Sequence, residues 1–209
     1  MFTPQTYSSR RATLIERVRT GNYGSAFSAG PEASGIIIFI GNNDAPQNYR
    51  GNEYQFRQES SWIYYFGLKD PGFSAILDIQ TGKTVIYADD VDIDDIVWMG
   101  PQPSVAERAL SCGVGETKRA AEFSKDVLDV VSAGRQVHYL PPSRYCTTLF
   151  LCELLGLHSS VVRTSGYKAE GHKGASLELI KAVISMRLVK EQCEIEALDD
   201  AAQLGYLAH

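Results

Sequence analysis

Apolar positions change period several times along the chain, and each change marks an element. Leu14, Ile15 and Val18 recur at near-helical spacing among Arg10, Arg11, Arg17 and Arg19, which predicts an opening helix. Ser8 or Ser9 is its expected N-cap and Gly21 its stop. Ile36-Ile37-Ile38-Phe39-Ile40 is a β-branched run between two glycines and reads as a strand buried on both faces. A loop rich in Asn, Asp, Pro and Gly follows, from 41 to 52. Ser60 or Ser61 would then cap a short helix that carries Trp62, Tyr64, Tyr65 and Phe66 and ends at Gly67. Residues 73–79 alternate as a strand does, Thr81-Gly82 makes a turn, and 83–88 returns, giving a hairpin.

The second half predicts helices at 105–110, 120–131 and 147–155. Between them lies a short strand at 137–140, stopped by Pro141-Pro142. From 176 to about 207 the pattern is helical nearly throughout, with Leu177, Ile180, Ile184, Leu188, Ile195, Leu198 and Ala202 on the apolar stripe. Strands alternating with helices indicate an α/β domain, and a hairpin among them makes the sheet mixed. That domain is expected over 1–165. The stretch 165–174, with three glycines, reads as a linker, and 166–209 as that linker followed by helices.

Composition narrows the class. Of 209 residues, 44% are hydrophobic and 22% charged, a globular balance, and the net charge is −5. No Lys/Arg cluster exists to displace nucleic-acid counterions, so nucleic acid is not an expected partner. The longest apolar run has five residues, against the ~20 that a membrane helix needs. The first residues carry no apolar signal core. With four scattered cysteines, Cys112, Cys146, Cys152 and Cys193, the chain reads as cytoplasmic, with reduced and mostly buried thiols.

Motifs for catalysis fail in turn. An EF-hand begun at Asp90 meets Asp95 where Gly is required and Pro101 where Glu is required. The acidic run 89–95 is therefore expected to be a solvated loop or a helix start. Gly113-Val114-Gly115-Glu116-Thr117-Lys118 lacks Walker A spacing and reads as a strand-to-helix turn. His138, His158, His172 and His209 lie far apart and pair with no Cys at ligand spacing, so each reads as structural. The segment Trp62, Tyr64, Tyr65, Phe66 suits a core helix or a subunit interface. Arg57, just ahead of it, is a candidate for a structural ion pair or for bonds to backbone carbonyls.

Two stretches nevertheless resemble one family. Glu53-Tyr54-Gln55-Phe56-Arg57-Gln58-Glu59-Ser60-Ser61-Trp62-Ile63-Tyr64-Tyr65-Phe66-Gly67, with Lys69-Asp70-Pro71 and a strand behind it, resembles the signature of the N-terminal domain of aminopeptidase P (Xaa-Pro aminopeptidase). Phe66 stands where that signature usually has Thr. Met186-Arg187-Leu188-Val189-Lys190-Glu191-Gln192-Cys193-Glu194-Ile195, with Ala201-Ala202, resembles the passage from that domain into the first helix of the catalytic "pita-bread" domain. Creatinase and prolidase relatives share this second motif.

The resemblance implies a creatinase N-terminal-like (ribonuclease H-like) α/β fold. It would have a mixed sheet of about five or six strands flanked by helices, followed by a C-terminal helical segment. It also implies that two divalent ions, usually manganese, sit on two Asp, one His and two Glu of a catalytic domain downstream. This chain would then hold no cofactor, metal ligand or catalytic residue and be inactive alone. Its partners would be its own C-terminal catalytic domain, further copies of itself in a homo-oligomer, and a peptide substrate with proline at position 2. Asp95-Ile96-Val97-Trp98-Met99-Gly100 resembles a family segment whose Trp can project toward a neighbouring subunit's active site, which makes Trp98 a substrate-binding candidate. A prolidase- or creatinase-like enzyme, or a stand-alone binding or scaffold domain, are the alternatives.

Overall fold

A computed structural model describes residues 2–49, 51–92, 96–98, 100–165 and 174–208, and the backbone at 168–169 and 172–173. Helix α1 (Pro4–Thr20) begins ahead of Ser8. Thr3 is extended and its Oγ1 accepts a hydrogen bond from Thr6 N at 3.2 Å, so Thr3 and not Ser8 or Ser9 is the N-cap. Pro4 follows at N1, where its missing N–H leaves no bond unmade. Gly21 stops the helix in the left-handed conformation, φ 64°.

Strand β1 (Ile36–Ile40) is followed by α2 (Ser60–Phe66), β2 (Ser74–Asp78), β3 (Thr84–Tyr87), α3 (Val105–Ser111) and β4 (Thr117–Lys118). Then come α4 (Glu122–Ser132), β5 (Val137–His138), α5 (Tyr145–Leu155), α6 (Ser159–Val162), a two-residue hairpin β6–β7 (Lys168–Ala169, His172–Lys173), α7 (Leu177–Leu188) and α8 (Gln192–Ala208). Five strands form one mixed sheet in the order β4-β3-β2-β1-β5. β2 runs antiparallel to β1 and β3, whereas β5 and β4 run parallel to β1 and β3. The 113–118 segment is thus a turn into an edge strand and not directly into a helix.

Alternation along the strands divides the core into two layers. Ile37, Phe39, Ala75, Leu77 and Ile86 face α1, α2, α3 and α7. Ile36, Ile38, Ile76, Val85 and Tyr87 face Phe123 and Val127 of α4, Leu151 and Leu154 of α5, and Val162 of α6. Leu179, Ala182, Val183 and Met186 of α7 belong to the first layer, so the core extends past residue 165. The helices expected from 176 onward are two in number. Val189 is extended (φ −103°, ψ 123°) and separates α7 from α8.

The acidic stretch resolves into caps where it is described. Asp90 Oδ1 accepts from Val105 N at 2.6 Å, and Asp89 Oδ1 from Ala120 N at 3.2 Å. Residues 93–95 and 99 of that stretch lie outside the described residues.

Candidate functional site

The aromatic helix α2 faces inward. Trp62, Tyr65 and Phe66 have no exposed surface and Tyr64 keeps 6%. Trp62 stacks on Phe66 with ring centroids 4.3 Å apart, and Phe39 of β1 meets both Tyr65 and Phe66. Tyr64 and Tyr65 donate their hydroxyls to Met186 O (3.4 Å) and Met186 Sδ (3.5 Å), tying α2 to the end of α7. These side chains pack the core and offer no surface to another subunit. The N-cap is Glu59, whose Oε2 accepts from Trp62 N at 2.8 Å, and not Ser60 or Ser61. Burial pushes the Tyr64 hydroxyl pKa up to about 12, so it stays protonated and can donate.

The bracing role expected of Arg57 falls to its neighbours. The Arg57 side chain is exposed, and its carbonyl accepts from Asn42 Nδ2 (2.8 Å) and Arg144 Nη2 (3.2 Å). Gln58 is the buried member, with Oε1 accepting from the amides of Asn42 and Glu59 at 2.6 and 2.8 Å. Its Nε2 donates to Asp70 O at 2.7 Å. Polar residues ahead of a helix carry no sign of which one turns inward.

Two buried arginines went unseen in the sequence, where Arg10 and Arg11 look like the polar face of α1. Arg11 is 3% exposed and donates to the carbonyls of Tyr65 and Cys112, each at 2.8 Å, and of Gly113 at 3.2 Å. Arg10 is 2% exposed. Its Nη1 donates to Tyr64 O at 2.9 Å, and its guanidinium lies 4.0 Å above the Tyr64 ring. Its Nε and Nη2 donate to Glu191 Oε2 at 3.1 and 2.8 Å, and Nη2 lies 3.7 Å from Glu194 Oε2. Arg10 thus joins the body to the start of α8.

Helix α8 buries none of its residues. Ile195, Leu198, Leu204 and Leu207 are 42%, 58%, 69% and 78% exposed. Ile195 and Leu198 lie on one side of α8 and Leu204 and Leu207 on the other, so apolar side chains are exposed on both sides of a helix that covers nothing. Trp98 is 88% exposed beside an exposed Val97, so it is not a core tryptophan of this chain.

A cleft of about 480 Å³ opens over the C-terminal ends of β1 and β3, the edge where α/β folds hold ligands. Ile40, Tyr87, Phe123 and Phe150 give it apolar walls, and Asp89 already caps the chain entering α4. Among the described residues no three His, Cys, Asp or Glu side chains converge so as to hold a metal ion. His138 is buried between Ser176 Oγ (2.8 Å from Nδ1) and Ser34 O (3.1 Å from Nε2). His158 caps α6. The His172 side chain and His209 lie outside the described residues. All four cysteines are free. Cys112 is buried, whereas Cys146 is exposed at the start of α5, against the expectation of mostly buried thiols. No helix among the described residues is long and apolar enough to cross a membrane.

The family model of the aminopeptidase P N-terminal domain matches residues 7–139. A probable Xaa-Pro aminopeptidase of Metarhizium robertsii is 24% identical over 86% of this chain and 35% of its own length. A probable Xaa-Pro aminopeptidase of Paracoccidioides lutzii is likewise 24% identical, over 84% of this chain and 31% of its own. The Xaa-Pro dipeptidase of Pongo abelii is 27% identical over 45% of this chain and 18% of its own. The chain therefore spans about a third of the length of the Xaa-Pro aminopeptidases it matches. Aminopeptidase P from Escherichia coli, solved with the inhibitor Pro-Leu, shares the fold. Its TM-score is 0.72 at 18% identity, over 100% of this chain and 44% of that one. With a mixed five-strand sheet between helical layers, both sequence signatures and the family match over 133 residues, this chain belongs to the aminopeptidase P N-terminal domain family.

Proposed function

We propose that this chain is the non-catalytic N-terminal domain of a metal-dependent Xaa-Pro aminopeptidase, which releases the residue preceding proline at the start of a peptide. The observation that carries the reading is the family match over 7–139 in a chain that spans about a third of such relatives. The exposed apolar side chains of α8 support it, because a helix that covers nothing in its own domain suits a chain entering a second one.

In this reading the two divalent ions, with manganese as the usual metal, belong to the catalytic domain. The described residues of this chain do not make such a site, and no chemical step is routed through them. The part left to the chain is architectural. It contributes to a homo-oligomer of a cytoplasmic enzyme and walls one side of the active-site mouth, and Trp98 reaches toward a neighbouring subunit's substrate. A prolidase-like parent is the second reading, favoured by the dipeptidase among the relatives.

The test is hydrolysis of an Xaa-Pro-containing tripeptide with added Mn²⁺, by this chain and by the product of the complete reading frame. Cleavage by the longer product alone is expected. Cleavage by these 209 residues alone would overturn the assignment. A longer product that cleaves only Xaa-Pro dipeptides would move it to prolidase. A frame yielding only this chain would leave a stand-alone binding module.

A further inference from the structure

We propose that Arg10 sets the direction in which α8 leaves the body, which makes it a positioning residue for the domain that α8 carries. Only the last step, that α8 carries a catalytic domain, rests on the function proposed above.

Packing does not orient α8. It buries no residue, and the hinge before it is unpacked, with Leu188 64% and Val189 76% exposed. An extended residue between two helices leaves the second helix free to swing unless something else holds it. The holder is Arg10, and its own seat is rigid. It is 2% exposed, its Nη1 is bound to Tyr64 O, and its plane lies between the Tyr64 ring at 4.0 Å and the Phe2 ring at 4.9 Å. Tyr64 is in turn covered by Arg187 of α7 at 5.6 Å and bonded to Met186 O.

From this seat Arg10 reaches both carboxylates at the start of α8. Glu191 receives Nε and Nη2 together, and Glu194 lies 3.7 Å from Nη2. Glu194 Oε2 also accepts from Glu191 N at 3.0 Å, so the two acids and the first turn of α8 form one unit. Two acids a turn apart, held by one planar cation, fix an axis, whereas one ion pair would fix only a point. The acids also suit the positive end of the helix dipole.

The test reads the direction of α8 in this chain, without any activity. Spin labels on ketone-bearing amino acids replace the exposed Asp129 and Gln203, leaving the native cysteines untouched, and pulsed EPR gives the distance distribution between them. A single narrow peak is expected for the parent chain. Glu191→Gln with Glu194→Gln removes both counter-charges of the buried Arg10, so the melting midpoint falls while helicity at the working temperature is kept, and the narrow peak is lost. Arg10→Lys keeps the charge without the planar fork and loses the peak in part. A broad distribution in the parent chain, or the same narrow peak in the double variant, would refute the role of Arg10. Failure of the peptidase test would leave this result standing.

Discussion

Arg10 and Arg11 are neighbours in sequence and both buried, yet they are satisfied in different ways. Arg10 meets carboxylates: burial pulls its pKa down, but Glu191, together with Tyr64 and Glu194, more than offsets this and holds the charge in place. Arg11 meets the carbonyls of Tyr65, Cys112 and Gly113 and lies 5.2 Å over the Phe66 ring, and burial pulls its pKa down. One side chain thereby joins α1 to the ends of α2 and α3. Arg11→Met would strand those carbonyls and is expected to cost about 3 kcal/mol or more. Urea unfolding at an unchanged m-value measures this, and a loss under about 1 kcal/mol would contradict the account. Acid sensitivity has a residue origin as well. Burial pushes the Asp78 carboxyl up, but the Thr81 amide and the Arg135 guanidinium at 2.6 Å pull it further down, to a net value below the ordinary 3.8. A carboxyl that is more acidic when folded adds stability above the ordinary carboxylate pKa and loses it as pH falls through the folded value. Stability should therefore decline on acidification below about pH 4, and Asp78→Asn should flatten that decline while lowering stability at neutral pH. An equally steep acid decline in Asp78→Asn would assign it elsewhere.

At the scale of elements, helix ends separate what was legible from what was not. Gly21, Gly67 and Gly156 stop α1, α2 and α5, as glycine after an apolar stretch predicts. Gly67 has a second reason to be glycine, because at φ 69° an added Cβ would lie 2.2 Å from the Tyr7 ring. Gly67→Ala should cost about 2–3 kcal/mol by adding left-handed strain to a clash in a closed core. Thermal melting checks it, and an unchanged midpoint would show that Tyr7 yields. The starts at Val105 and after Ser176 were legible, whereas the caps of α1 and α2 were misplaced, since Ser8, Ser60 and Ser61 are good caps by type, but Thr3-Pro4 and Glu59 hold the required geometry. β4 was missed because two residues, Thr117 and Lys118, make no periodicity, and they are a strand only through pairing with Ile86 and Tyr87. The position of the break at Val189 was not legible because Leu188 and Ile195 keep the helical rhythm across it. Arg10 and Glu191 left no signal, for a contact between residues so far apart in the chain has no local pattern.

Among the described residues, a two-layer body carries an open element, α8. The sheet and its helices bury their apolar faces in two clusters, while α8 leaves Ile195, Leu198, Leu204 and Leu207 in water. Apolar side chains exposed in this number on both sides of a helix mark a surface that something covers in an assembled protein. The central claim, that α8 is the start of a second domain, is tested most directly by amide hydrogen exchange over residues 195–207. The comparison is between this chain and the longer product. Exchange near the rate of a fraying helix in this chain, and slow exchange as in the core strands β1–β3 in the longer product, is the predicted result. Fast exchange of the same amides in both proteins would mean that nothing covers α8, and would contradict the account.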